Sequence, residues 1–306
     1  MHPTLVRLHL PLLGEVTITT FGVMMALAFL VAWWVMRVRL EELEEDRELA
    51  GDIMIAALVG GIVGAKLYYL ALHWRLLAAA PGAMLASRAG LVWYGGFIGG
   101  SLAVIWLLRR RSYPIARGAD LVAPALALGY GIGRIGCLLV GDDYGRPTSS
   151  WIGLAFPKGS PPTTAGNLRA DFGAHIPAGV PDATVLKVIP TQPFETAAAL
   201  VIFALLWRWR KKPWKAGRLF AAYLVLSGVE RFVIEIFRAK DDRFLGPLTT
   251  AQMIAIALVV LGAVLWVRLL GHRGVGDPAA GAEEGPTPSG RAGRPESARA
   301  SRAADA

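Results

Sequence analysis

Seven apolar runs, each near or above 18 residues, are spread along a chain of 306 residues. A soluble domain of this length does not carry so many. As helices rising about 1.5 Å per residue, such runs cross roughly 30 Å of hydrocarbon. They predict helices at about 16–38, 52–72, 90–108, 119–140, 192–209, 217–237 and 249–270. The expected fold class is all-α: a polytopic membrane protein of seven transmembrane helices with a small head between helices 4 and 5. The first run begins after 15 mostly polar or mixed residues and extends beyond 20, so it reads as a retained anchor rather than a cleaved signal sequence.

The net charge of +9 invites a nucleic-acid reading, which the distribution of charge removes. With loop 37–50 taken as cytoplasmic and the loops alternating, one side holds Arg37, Arg39, Arg47, Arg109, Arg110, Arg111, Arg117, Arg208, Arg210, Lys211, Lys212, Lys215 and Arg218. The short opposite loops hold Arg75, Arg88, Arg238, Lys240 and Arg243. Thirteen cations against five is a positive-inside bias, with the N-terminus outside and the C-terminus in the cytoplasm. The basic surplus is a topology signal, and no nucleic-acid partner is expected.

On this topology the long loop, about 141–191, lies outside. Its Trp151, Phe156 and Phe172 predict a small ordered head rather than a tether. Residues 1–272 form one membrane domain including that loop. Residues 273–306, poor in large apolar side chains, are expected to be a disordered cytoplasmic tail. The turn EELEEDRE (41–48) reads as a solvated face. The single cysteine, Cys137, excludes an intramolecular disulfide. The five histidines have no metal-ligand spacing, so no metal site is expected; no cofactor is expected either.

Charge inside these apolar runs is the route to function, because an ionised side chain at membrane depth is costly without a partner or a wet cavity. Arg134 lies in GYGIGRIGCLLVGDDYGRP (129–147), Glu230, Arg231 and Glu235 in SGVERFVIEIFR (227–238), and Lys66 in GGIVGAKLYYL (60–70). The predicted orientations carry all of them to the outer half, together with Tyr94, Asp142, Gln192 and Glu195. Arg231 and Glu235, at i and i+4, share one helix face. Guanidinium forks suit phosphate, and lipid headgroups supply phosphate at that depth. Arg134 and Arg231, with Arg238 or Arg146, are therefore candidates to grip a phosphodiester. Glu195, Glu230, Glu235 and Asp142 would orient them or exchange protons.

Plainer readings stay open on sequence alone. Arg231 with Glu235 also reads as an ion pair locking the bundle, and Lys66 as a snorkelling interface residue. Tyr94 reads as a belt aromatic, Cys137 as a small packing residue, and Gly95, Gly96, Gly99 and Gly100 as helix-contact positions.

Several of these segments resemble the prolipoprotein diacylglyceryl transferase family. GRIGCLLVGDDYGRP is similar to the family signature GRxGNFxNxExxGxxT, PTQPFE to its PxQLYE segment, ERFVIEIFR to its RFxxExxR segment and LVWYGGFIGG to its HGG segment. The likeness extends over about residues 16–270. It implies a bacterial inner-membrane enzyme with a periplasmic head, which transfers the diacylglyceryl group of phosphatidylglycerol to a lipobox cysteine of pre-lipoproteins. A thioether forms and glycerol phosphate leaves. It carries phosphate-facing roles onto Arg134 and Arg231, makes Glu235 the partner of Arg231, and makes Asp142 and Gly145 counterparts of a signature glutamate and glycine.

The expected catalytic residues are thus Arg134, Arg231, Tyr94 and Glu235. Phosphatidylglycerol binding is expected from Arg134, Arg231, Asp142, Gly145, Cys137, Gln192 and Glu195. Three positions depart from the family pattern: Tyr94 replaces a histidine, Cys137 an asparagine and Phe21 a tyrosine. A phenol of pKa near 10 is a poor base at neutral pH, which sets a divergent enzyme against an inactive lipid-binding paralogue. A transporter is the more distant rival, because it would spread charge through both leaflets.

Overall fold

The structure is a computed structural model that describes residues 3–10, 14–87, 90–239, 243–245 and 247–270. It is mostly helical. A hairpin of β1 (Thr4–Leu10) and β2 (Gly14–Thr19) precedes α1 (Thr20–Glu42) and α2 (Glu48–Leu72). Two single-turn pieces, α3 (Trp74–Ala79) and α4 (Pro81–Ala86), lead to α5 (Trp93–Arg110) and α6 (Ile115–Val140). The segment after α6 contains β3 (Leu154–Ala155), α7 (Ala165–Phe172) and β4 (Lys187–Val188). Helices α8 (Thr191–Trp209) and α9 (Arg218–Glu235), the pair β5 (Arg243–Leu245) and β6 (Leu248–Thr249), and α10 (Thr250–Arg268) complete it.

Four helices, α1, α2, α6 and α10, are long and apolar enough to cross a bilayer, as expected of a polytopic membrane protein. Helices α5, α8 and α9 are less apolar, because polar and charged residues interrupt them, among them Arg109 and Arg110, Gln192 and Glu195, and Glu230 and Arg231. Large apolar side chains point outward along the bundle, such as Leu30, Leu67, Leu102 and Val267, the covering a hydrocarbon solvent requires.

The all-α expectation is corrected in detail. Residues 14–19 pair with 4–10 as antiparallel strands instead of opening the first helix at 16. β-Branched residues dominate VTITT and favour an extended chain. The helix starts at Thr20, where the Thr19 hydroxyl accepts from Gly22 N–H at 3.1 Å. Two further two-stranded pairs, β3–β4 and β5–β6, lie in the loops. The turn at 41–48 is also more than a solvated face. Glu42 takes both Arg210 Nε (2.8 Å) and Nη2 (2.5 Å), and Glu45 accepts from the Tyr113 hydroxyl at 2.6 Å. The tail expectation falls outside the described residues.

Helix α6 is the central element. Its Leu121 and Ala125 join Val35, Met36, Ile53 and Leu108 of α1, α2 and α5 in one apolar cluster. Its Ala123 and Ala127 join Ile202, Leu206 and Leu219 of α8 and α9 in another. The segment between α6 and α8 has its own core, in which Tyr144 stacks on Phe156 at 5.6 Å and meets Phe172, with Leu168 and Val188 beneath. Trp151 takes no part, being 91% exposed.

Helices α2 and α5 touch backbone to backbone. A Cβ on Gly99 would lie 2.4 Å from Gly60 O and 2.7 Å from Gly64 Cα, and one on Gly64 would lie 2.4 Å from Gly95 O. Packing at that distance is open only to glycine. Gly99→Val therefore forces the two helices apart, at a cost of about 1–3 kcal/mol or more. Thermal unfolding in detergent reads this as a lowered midpoint; an unchanged midpoint would count against the close contact.

Candidate functional site

Three helix ends and one turn bring six charged groups into a closed ring. Tyr130, Arg134 and Cys137, spaced i, i+4 and i+7, lie on one face of α6. Arg134 donates through Nη2 to Glu195 Oε1 and through Nη1 to Asp143 Oδ2 at 2.7 Å. Its Nη1 also reaches Cys137 Sγ at 3.6 Å, and its Nε donates to the Tyr130 hydroxyl at 3.2 Å. That hydroxyl donates onward to Glu195 Oε1 at 3.1 Å. Glu195, in the first turns of α8, is 0% exposed.

From Glu195 the ring continues to α9. Arg231 Nη1 is 3.9 Å from Glu195 Oε1, and its Nη2 is 2.7 Å from Glu235 Oε2. Arg238, just beyond α9, places Nε 3.7 Å from Glu235 Oε2 and donates through Nη2 to Asp143 Oδ1. Asp143 then returns to Arg134. Three guanidiniums and three carboxylates alternate, so the ring is neutral as a whole. Neutrality is what a buried ionic cluster needs in a medium of low dielectric constant.

The ring is balanced in charge yet unsatisfied in hydrogen bonds. Glu195 Oε2, Arg231 Nη1 and Arg238 Nη1 are buried without a hydrogen-bond partner. So are Gln192 Oε1, Asp142 Oδ1 and Glu230 Oε1, on residues of the same turns. Buried polar atoms without partners are rare, and a group of them marks a place where water or a ligand completes the bonding. The leftover guanidinium N–H groups suit an oxyanion.

The turn after α6 shapes this end. Gly141 closes the helix in the left-handed conformation (φ 76°) and its N–H donates to Cys137 O at 2.8 Å. Asp143 is also left-handed, at φ 59°. Asp142 O accepts from Gln192 Nε2 at 2.5 Å, and burial raises its carboxyl above the usual range despite a bond to the Cys137 thiol. Asp143 is shifted the other way. Burial opposes its charge, but the hydrogen bond and charge of Arg238, with the charge of Arg134, hold it well below the ordinary carboxylate range.

The expected residues divide into those the fold assembles and those it does not. Arg134, Arg231, Glu235 and Glu195 are ring members, while Cys137, Asp142 and Gln192 support its turns. Gly145 serves packing: its N–H donates to Ile189 O at 2.8 Å, and a Cβ there would meet Phe237 O at 2.4 Å. Arg146 is used internally, its Nε donating to Arg238 O at 3.0 Å. Lys66 donates to Ser87 O at 2.7 Å, apart from the ring. Tyr94 is half-exposed on α5, edge-on to Trp93, and among the described residues no hydrogen bond or ion pair links it to the ring. Phe21 packs against α6 at Gly136, its ring 3.4 Å from where a Cβ on that glycine would stand.

Sequence reading missed two members. Tyr130 passes for a packing aromatic in an apolar helix, although its i, i+4 spacing to Arg134 was a usable signal. Asp143 stands next to Asp142, and nothing in their order says which carboxylate turns inward.

Comparison with known proteins gives a consistent result. The family model described as prolipoprotein diacylglyceryl transferase matches residues 8–268. A phosphatidylglycerol--prolipoprotein diacylglyceryl transferase 2 of Clostridium perfringens is 32% identical over 260 residues, covering 83% of this chain and 93% of the relative. A phosphatidylglycerol--prolipoprotein diacylglyceryl transferase of Clostridium tetani is 30% identical over 243 residues, covering 79% and 89%. One of Gloeobacter violaceus is 33% identical over 224 residues, covering 72% and 77%.

Proposed function

Because the chain belongs to the prolipoprotein diacylglyceryl transferase family, we propose that it moves the diacylglyceryl group of phosphatidylglycerol onto the lipobox cysteine of a pre-lipoprotein. The observation that carries this reading is the ring of three arginines whose buried Nη1 atoms on Arg231 and Arg238 lack hydrogen-bond partners. Such a group of donors is chemically matched to a phosphodiester and to the charge that grows on a departing phosphate.

In this scheme the cysteine sulfur attacks the glyceryl carbon that bears the phosphate ester. The C–S bond forms as the C–O bond breaks, glycerol phosphate leaves, and the thiol proton passes to a carboxylate of the site. Arg134, Arg231 and Arg238 offset the charge of the leaving group. Glu195 and Glu235 hold the guanidiniums in place. The chain spans the bacterial cytoplasmic membrane seven times, with the ring in the outer leaflet and segment 141–190 forming a periplasmic head that orients the peptide. The N-terminus lies outside and the C-terminus in the cytoplasm. What supports that orientation is the positive-inside distribution of Lys and Arg.

The test is incubation of the purified protein with phosphatidylglycerol and a lipobox peptide, followed by mass measurement of the peptide. A gain of one diacylglyceryl group is expected; an unmodified peptide would overturn the reading. In the same assay Tyr94→Phe retains most of the rate, because its hydroxyl has no bond to the ring. Loss of about 10²–10⁴-fold, the usual contribution of a general acid or base, would return the phenol to the mechanism.

A further inference from the structure

Asp143 differs from the four helix-borne members of the ring. Arg134, Glu195, Arg231 and Glu235 are presented by helices, whereas Asp143 sits on a left-handed turn residue (φ 59°). Its side chain is 42% exposed, against 9% and 10% for the two arginines it bridges. One carboxylate oxygen accepts from Arg134 Nη1 at 2.7 Å and the other from Arg238 Nη2. Two anionic oxygens on one centre, each held by one guanidinium nitrogen from a different element, reproduce what the non-bridging oxygens of a phosphodiester offer. The Nη1 atoms of Arg231 and Arg238, which make no hydrogen bond, lie in the same ring and supply donors for a larger oxyanion.

We propose that Asp143 is a built-in stand-in for the phosphate: its carboxylate holds the anion subsite between Arg134 and Arg238 before a headgroup binds, and swings out on its turn when one enters. This rests on the ring being the lipid phosphate site. The exchange replaces one anion by another, so the ring never carries a surplus cation at membrane depth, which would be costly. Asp143 faces the charges of Arg134 and Arg238 and its neighbour Asp142, and its ionisation at neutral pH follows from those two arginines. The protection has a consequence. A headgroup binds only the fraction of molecules in which the carboxylate has left, so apparent affinity is lowered by that fraction.

Removing the competitor should therefore tighten binding, the opposite of what loss of a contact residue does. Full-length protein in nanodiscs is titrated with phosphatidylglycerol, with soluble glycerol 1-phosphate, and with diacylglycerol as the phosphate-free arm. Asp143→Asn should lower the Kd for both phosphate ligands by on the order of tenfold, leave diacylglycerol unchanged, and lower KM for phosphatidylglycerol more than it changes kcat. Asp143→Gly, which suits a left-handed backbone, should do the same and covers the case in which the asparagine variant folds poorly. Equal or weaker binding of the phosphate ligands in both variants overturns the proposal. So does tightening confined to the intact lipid, because the gain would then come from the acyl chains. Failure of the unsubstituted protein to bind phosphatidylglycerol would instead sink the assignment of the ring itself.

Discussion

Arg134→Lys lowers the rate of diacylglyceryl transfer by on the order of 10²–10³-fold while the protein stays folded. Arginine at this position serves four groups at once: Glu195, Asp143, the Tyr130 hydroxyl and the Cys137 sulfur. A lysine ammonium keeps the positive charge between the two carboxylates, so the cluster does not acquire an uncompensated anion. It has no planar fork, and one point charge cannot hold two carboxylates and present paired N–H groups to a phosphate. The measurement is kcat/KM from the mass assay, beside a thermal unfolding curve. Near-normal turnover with lysine would mean that charge alone matters and that the fork geometry has no catalytic role. Alanine is the less informative change, because it leaves Glu195 buried with only the distant Arg231 to balance it.

The largest effect on stability is expected at Glu195. Its carboxylate, 0% exposed, is the one group that Arg134, Arg231 and Tyr130 all address. Glu195→Ala leaves the buried Arg134 guanidinium facing the partly exposed Arg231 across the lost counter-charge, and breaking a buried pair in this way costs about 3–5 kcal/mol. Glu195→Gln costs less, since its amide oxygen still accepts from Arg134 and from the Tyr130 hydroxyl. The unfolding midpoints should rank the natural protein above the glutamine variant and that above alanine. An alanine variant as stable as the natural protein would show that the ring is not a structural unit.

Much of the site was legible because helical periodicity makes some contacts local. Arg231 and Glu235 pair at i, i+4 in any helix that contains them, and Arg134 declared itself by charge in an apolar run. The close approach of Gly95 and Gly99 to α2 was likewise among the readings that small residues at helical spacing allow. Tyr94 shows the limit of this reasoning. Depth along the membrane normal was inferable for it and for Arg134, but depth says nothing about which way a helix is rotated. The side chain on α5 looks toward Trp93, while the arginine on α6 looks toward α8 and α9.

The sequence by itself determined that this chain is a mostly helical membrane protein with ionised groups committed to its interior, because long apolar runs and buried charge each admit few physical solutions. It also carried the family, through motifs whose order and spacing survive without coordinates. The tertiary structure decided which charges meet. Glu195 lies 61 residues from Arg134, and Arg238 lies 95 from Asp143. Their convergence depends on helix rotation and on the left-handed residues Gly141 and Asp143 after α6, quantities that no local pattern encodes. The same holds at the N-terminus, where residues 16–19, expected to open the first helix, instead pair with an earlier strand.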